Sequence, residues 1–161
     1  MTADEFIKRF TSLAFLIESE SGIFAEAILA QAALETGWGT YVKGNNYFGI
    51  KGKRNLVRTK EILDHPNAKF PYIYSITPIE KNGKTMYEYD VKTWFAGYDR
   101  PIDSFRAYAH FIKTNPRYET ALEATTPEDY LTAVAAAGYA TAPSYGATLL
   151  KVLKSVKKRM K

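Results

Sequence analysis

Cysteine is absent from the 161-residue chain, histidine occurs only twice, and no apolar run is long. Without cysteine there is no thiol nucleophile, disulfide framework or cysteine-ligated metal site. His65 and His110 are not at metal-ligand spacing, and a catalytic triad would depend on one of them alone. No stretch approaches the roughly 20 apolar residues of a membrane span, and the acidic start lacks the basic region of a signal peptide. We therefore expect no metal, no other cofactor, no membrane insertion and no visible signal peptide, which leaves carboxylates as the acid–base groups.

The net charge of +5 is a property of the end of the chain. Six of the 22 basic residues lie from Lys151 onward, where there is no acidic residue, and the other 16 are balanced by 17 Asp and Glu. A body this close to neutral does not favour nucleic acid as a partner. The basic residues alternate with apolar ones at helical spacing, which predicts a final amphipathic helix. Attraction of these cations to an anionic polymer is the alternative interpretation.

The patterning along the chain predicts an α+β fold that is mainly α. It predicts helices at about 3–19 and 23–35, a β-rich insert at about 53–95 with a hairpin turn at Asn82-Gly83, and later helices that begin near Pro101, Thr126 and Ser144. No linker or internal repeat divides the chain, so we expect a single domain over residues 1–161. A helical lobe beside a small β-lobe implies a groove between them.

Glu35 has an unusual setting, because it ends a predicted buried helix directly before a glycine-rich turn. The C-terminal end of a helix and partial burial both disfavour the ionised form, so the pKa of Glu35 should rise above the usual value of about 4.3. That suits a general acid, although an ordinary solvated glutamate in a last helical turn remains the alternative. The turn is flanked by aromatic rings and amides, the surfaces that bind sugars: Trp38, Tyr41, Asn45, Asn46, Tyr47 and Phe48.

Four segments, in order, resemble glycoside hydrolase family 73, the endo-β-N-acetylglucosaminidases. They are LAQAALETGWG at 29–39, NNYFGIKG at 45–52, TNPRY at 114–118 and AGYAT at 137–141. The resemblance implies a lysozyme-like helical lobe with a β-lobe across a glycan-binding groove. It also implies hydrolysis of the bond after N-acetylglucosamine in peptidoglycan, at the bacterial cell wall or in the periplasm. Peptidoglycan strands are then the expected partner, and we expect the enzyme to act as a monomer.

The same resemblance assigns roles to individual residues. Glu35 matches the catalytic acid, Thr59-Lys60-Glu61 matches the segment that carries a second carboxylate, and Tyr139 matches the active-site tyrosine. Glu88 and Asp90 remain alternatives to Glu61, because the β-rich insert is long. The expected substrate-binding residues are Trp38, Asn46, Tyr47, Phe48 and Tyr118.

Three questions stay open at this point. Inversion, retention and a substrate-assisted route are all compatible with the residues. A lytic transglycosylase that forms 1,6-anhydro ends is an alternative function, and a non-catalytic wall-binding module is another. Family members commonly have Asp where this chain has Ala142, so Ser144 is expected to cap the final helix instead.

Overall fold

The computed structural model describes residues 1–161 and has the predicted order of helices, sheet and helices. The helices are α1 (Ala3–Ser21), α2 (Ala25–Thr36), α3 (Pro101–Thr114), α4 (Glu119–Leu122), α5 (Pro127–Ala136) and α6 (Tyr145–Met160), with a 3-10 turn at Pro116–Tyr118. The strands are β1 (Lys51–Leu63), β2 (Tyr72–Lys81) and β3 (Lys84–Phe95). None of the helices combines the length and apolar character that a bilayer crossing requires.

Local hydrogen bonds set the helix boundaries. The Thr2 hydroxyl accepts from the Glu5 backbone N–H at 3.1 Å and the Glu5 carboxylate accepts from the Thr2 N–H, so the predicted capping box is present. Gly22, with a φ of +81°, ends α1 two residues later than predicted. Ser144 stands at the start of α6, but its side chain makes no capping hydrogen bond, so the expected capping role is wrong.

The core of the helical lobe is built around α2. This helix is apolar on nearly every side because α1, α5 and α6 all pack against it. Aromatic rings from α1 and α3 extend the core toward the sheet, for example Phe10 stacked on Phe105 at a centroid separation of 5.6 Å. Each large side chain buried in this way contributes about 1.5–3 kcal/mol.

The amphipathic α6 is confirmed, since Leu149, Leu153 and Val156 are buried against the core. Its basic residues are not equivalent. Lys157 is held by Glu128 at 2.7 Å and Arg159 by Asp4 at 3.0 Å. The cations left exposed and without an ion pair form a stripe at helical spacing along α6: Lys151, Lys154 and Lys158.

The antiparallel sheet has the strand order β1-β3-β2. Asn82 and Gly83 form the predicted hairpin turn, and both have a positive φ, +52° and +76°, as a type I′ turn requires. In the pairing of β1 with β3, Glu61 lies opposite Tyr89 and Lys60 lies opposite Asp90. Because successive side chains point to opposite faces, one face of the sheet looks toward the helical lobe and the other looks outward.

Candidate active site

The last turn of α2 carries Glu35 into a groove between the helical lobe and the sheet. Gly37, with a φ of +54°, ends the helix directly afterwards. Two adjoining cavities of about 350 and 330 Å³ share Glu35, Gly49, Thr59 and Phe95 as lining residues. Glu35 is therefore at the middle of a groove that extends in both directions from its carboxyl group.

The surroundings of Glu35 raise its pKa, so that a large fraction of its carboxyl group is protonated near neutral pH. Burial is the main cause that raises the pKa of Glu35 to about 7, and the negative charge of Glu61 raises it further. The Tyr145 hydroxyl donates a hydrogen bond to Oε1 at 2.8 Å and opposes this shift. The direction agrees with the sequence-based expectation, but burial and not the helix end is the principal cause.

Gly49 brings the backbone close to the other carboxyl oxygen of Glu35. Its φ is +66°, and a Cβ placed at this position would lie 2.9 Å from Oε2. Oε2 therefore faces the Gly49 side of the groove, whereas Oε1 faces Tyr145 on α6. The two oxygens have different partners, which gives them different chemical roles.

Glu61 is the carboxylate that β1 presents to the same groove. It lines one cavity together with Glu35, and its side chain is 17% exposed. The Lys51 ammonium group contacts Oε1 at 2.6 Å, and the Thr141 hydroxyl donates to Oε2 at 3.3 Å. Thr141 also accepts from the Ile62 N–H at 3.0 Å, so the loop before α6 is tied to β1 beside Glu61.

The two alternatives to Glu61 lie on the other face of the sheet. Glu88 is next to Lys60 at 3.3 Å, and both oxygens of Asp90 accept from the Arg58 guanidinium at 2.9 Å. The Arg58 hydrogen bonds hold the pKa of Asp90 below its usual value. By strand alternation Glu88 and Asp90 lie on the face opposite to Glu61, and neither lines the two cavities that contain Glu35, so Glu61 stays the predicted second carboxylate.

Tyr139 lies at the wall of the cavity that contains Glu61. Its hydroxyl donates to the Phe48 carbonyl at 2.5 Å, and its ring is parallel to that of Tyr145 at a centroid separation of 6.1 Å. Burial raises the pKa of Tyr139 well above its ordinary value, so the phenol stays protonated. The structure thus brings Glu35, Glu61 and Tyr139 to one groove, as the resemblance implies.

Three of the expected sugar-binding rings have no free face. Tyr47, Phe48 and Tyr118 are 2%, 0% and 1% exposed and belong to the hydrophobic core. Phe48, for example, stacks on Tyr108 at a centroid separation of 4.2 Å. The predicted role of these rings in substrate binding is corrected to packing, because a ring enclosed by protein cannot stack on a sugar.

Asn46 and Trp38 also serve the fold. The Asn46 amide donates to the carbonyls of Ile50 and Ala96 and accepts from the Ile50 N–H, so its hydrogen-bonding capacity is used within the protein. The half-buried Trp38 ring packs edge-on against Phe6 and under Arg159, and it does not line the groove. Asn46 nevertheless lines the cavity that contains Glu35, so its role as a substrate contact stays a prediction, whereas Trp38 lines neither cavity.

Among the aromatic side chains that line the groove, which include Phe95, Tyr41 is the most exposed. It is 76% exposed and lines the end of the groove away from Glu61, where Lys43, Asn55 and Val57 are its neighbours. Sequence reasoning noted Tyr41 among the aromatics of the turn but did not single it out. Tyr145 was missed because its contact with Glu35 joins residues 110 positions apart and has no local signature.

A carboxyl group with a raised pKa beside a second carboxylate, in a groove between two lobes, is an arrangement typical of glycoside hydrolases. The family model for glucosaminidases, described as mannosyl-glycoprotein endo-beta-N-acetylglucosaminidase, matches residues 12–158. Because this match spans most of the sequence, the chain belongs to the glucosaminidase family of glycoside hydrolases, as the four segments predicted.

Named relatives agree with this assignment. The chain is 34% identical over 146 residues to the peptidoglycan hydrolase FlgJ of Vibrio parahaemolyticus, an alignment that covers 84% of this chain and 41% of that protein. It matches the glycoside hydrolase domain of Salmonella typhimurium FlgJ with a TM-score of 0.66 and 28% identity, over 99% of this chain and 91% of that domain. A peptidoglycan hydrolase mutant from Sphingomonas sp. A1 matches with a TM-score of 0.69 and 25% identity, over 98% and 97% of the two chains.

These matches confirm the predicted fold class of a lysozyme-like helical lobe with a small β-lobe. The chain spans less than half the length of the Vibrio protein.

Proposed function

We propose that the chain is a peptidoglycan hydrolase that cleaves the glycosidic bond after N-acetylglucosamine, with Glu35 as the general acid. The observation that carries the proposal is the raised pKa of Glu35, about 7, in a groove that also contains Glu61. The similar proteins from Vibrio parahaemolyticus and Sphingomonas sp. A1 are peptidoglycan hydrolases, which supports the choice of polymer. Such a substrate places the reaction at the cell wall or in the periplasm.

The proposed reaction begins with proton transfer. The groove-facing Oε2 of Glu35 donates its proton to the glycosidic oxygen as the bond from that oxygen to the anomeric carbon breaks. Glu61, held by Lys51 and Thr141, stabilises the positive charge that develops on the sugar. Water supplies the hydroxyl group of the new reducing end, and its remaining proton returns the active site to its starting state.

Glu61 and Tyr139 have supporting roles in this proposal. If Glu61 takes the proton from water, the anomeric configuration inverts, whereas attack by Glu61 or by the substrate's acetamido oxygen retains it. Proton NMR of the first-formed anomer distinguishes inversion from retention. Tyr139 forms part of the cavity wall beside Glu61. Its hydroxyl donates to the Phe48 carbonyl and so holds the segment that leads to Gly49.

Mass spectrometry of digested sacculi tests the function. Purified sacculi are digested, the new reducing ends are reduced with borohydride, and the products are identified. We expect N-acetylglucosaminitol ends from the wild type, none from Glu35→Gln, and wild-type amounts from the matched control Glu88→Gln. Muramic acid ends would overturn the proposed bond, and 1,6-anhydro ends would establish the transglycosylase instead. Binding without any cleavage would establish a wall-binding module.

A further inference from the structure

Behind Glu35, a continuous chain of hydrogen bonds runs through the helical core. The Tyr145 hydroxyl contacts Glu35 Oε1 at 2.8 Å, and the Gln31 amide nitrogen contacts the Tyr145 oxygen at 3.1 Å. On the other side of Gln31, its carbonyl oxygen accepts from the Tyr108 hydroxyl, which lies 2.6 Å from that of Tyr130. Gln31, Tyr108 and Tyr130 are at most 1% exposed, so water does not compete for these bonds.

The amide of Gln31 gives this chain a direction, because an amide has its donor and its acceptor on different atoms. The nitrogen of Gln31 donates to Tyr145, which leaves the single hydroxyl proton of Tyr145 to point at Glu35. The carbonyl oxygen of Gln31 accepts a hydrogen bond from the Tyr108 hydroxyl. Because this uses the only hydroxyl proton of Tyr108, Tyr130 is the donor in its hydrogen bond with Tyr108. With the amide reversed, Tyr145 would donate to Gln31, and Glu35 would have to donate to Tyr145.

This direction decides which oxygen of Glu35 carries the proton. Oε1 accepts from Tyr145 and therefore remains the carbonyl-like oxygen of the acid. The proton resides on Oε2, which faces Gly49 and the groove. The reversed amide would place the proton on Oε1, where it would point into the core and could not reach a glycosidic oxygen.

We propose that Gln31 is a positioning residue, which acts through Tyr145 to hold the proton of Glu35 on the oxygen that faces the groove. The inference rests on the proposed role of Glu35 as the general acid. The side-chain hydrogen bonds of Gln31 go to Tyr145 on α6 and to Tyr108 on α3, so this buried side chain of α2 joins the two helices within the core.

The other groups around Glu35 cannot replace Tyr145 as a donor. From the loop before α6, the Tyr139 hydroxyl already donates to Phe48. From β1, Lys51 is paired with Glu61, and Glu61 itself raises the pKa of Glu35. Tyr145 on α6 is thus the group whose hydrogen bond lowers the pKa of Glu35 against burial, and weakening it should raise that pKa.

The test is a direct titration of the Glu35 carboxyl carbon by NMR, with the resonance assigned by its absence in Glu35→Gln. The wild type should titrate near pH 7. Tyr145→Phe removes the donor and should raise the pKa of Glu35 by about one unit, as expected for a hydrogen bond to a charged group. Gln31→Met keeps the side-chain volume but has no amide, and it should also raise the pKa of Glu35. Tyr130→Phe is the matched control, since it removes a buried hydroxyl at the far end of the chain and should leave this pKa unchanged.

The pH profile of kcat/KM gives the second measurement. The alkaline limb of this profile reports the pKa of the general acid in the free enzyme. In Tyr145→Phe and Gln31→Met the limb should therefore shift to higher pH together with the NMR titration, and the maximal kcat/KM should fall about tenfold. Gln31→Asn, whose shorter side chain cannot reach both tyrosines, serves if Gln31→Met does not fold. The proposal is overturned if the Gln31 variants keep the wild-type pKa and limb while Tyr145→Phe shifts them. A fully active Glu35→Gln would refute the proposed function, and the titration would still report on the hydrogen-bond chain.

Discussion

Gly49 approaches the carboxyl group of Glu35 so closely that its replacement by alanine tests the geometry of the site. The added Cβ would lie 2.9 Å from Oε2, about half an ångström inside ordinary van der Waals contact. Oε2 is the far end of a side chain, so we expect Glu35 to move and the backbone to stay. A displacement of this size at a reacting atom should lower kcat/KM on the order of ten- to a hundredfold.

The backbone cost of Gly49→Ala must be separated from this effect, because φ at Gly49 is +66°. Gly22→Ala is the matched control, since Gly22 has a φ of +81° and no atom within 4 Å of an added Cβ. Both variants should lose about 1–2 kcal/mol of unfolding free energy through the left-handed conformation. Only Gly49→Ala should also lose activity.

The assay pairs urea unfolding with the initial rate of clearing of purified sacculi, measured at equal concentrations of folded enzyme. Equal losses of stability with a selective loss of rate in Gly49→Ala would agree with the structure. A Gly49→Ala enzyme that clears sacculi within twofold of the wild type would show that Oε2 does not need its observed position. An equal loss of rate in Gly22→Ala would assign the effect to stability instead.

Three further predictions follow from charges and pKa values. Because the pKa of Glu35 rises from 4.5 to about 7 on folding, its stabilising contribution is complete below pH 4.5 and lost as the pH rises through 7. Relative to Glu35→Gln, the wild type should lose about 3 kcal/mol of unfolding free energy between about pH 4 and pH 8, measured by urea titration. Glu61→Gln should reduce the rate on sacculi far more than Glu88→Gln, and the reverse order would show that the outward carboxylate is the functional one. Lys154→Glu with Lys158→Glu should weaken binding to sacculi at low salt and leave the hydrolysis of neutral oligosaccharides unchanged. Identical binding curves against ionic strength would show that the stripe only solubilises α6.

The parts of this fold that the sequence predicts well are those set by neighbouring residues. The Thr2–Glu5 capping box, the Asn82-Gly83 turn and the apolar face of α6 each depend on contacts within a few positions, and all three are present. The position of Glu35 at the end of a buried helix belongs to the same group. Its raised pKa follows from that position, although the structure assigns the larger share to burial.

The aromatic residues near Glu35 show where such reasoning fails. A ring in a polar, glycine-rich segment has the composition of a sugar-binding loop, but the same composition also results when a loop inserts rings into the core. Tyr47 and Phe48 do the latter, because Phe10, Phe105 and Tyr108 from α1 and α3 enclose them. The sequence of the segment 45–52 does not indicate which residues of other elements will pack against it. The hydrogen-bond chain through Gln31 is hidden in the same way, since its partners lie 77 and 114 residues away.

The choice between Glu61 and the alternatives on β3 depends on strand register, and this part of the site has no local signal. The two-residue turn at Asn82-Gly83 fixes how β2 pairs with β3. Glu61 lies on β1, which pairs with β3 although β2 lies between them in the sequence, so no tight turn sets that register. A slip of one residue would turn Glu61 outward and bring Lys60 beside Glu35. Lys51 and Thr141, which hold the Glu61 carboxylate from two directions, are therefore the contacts that favour the observed register and keep the second carboxylate facing the acid.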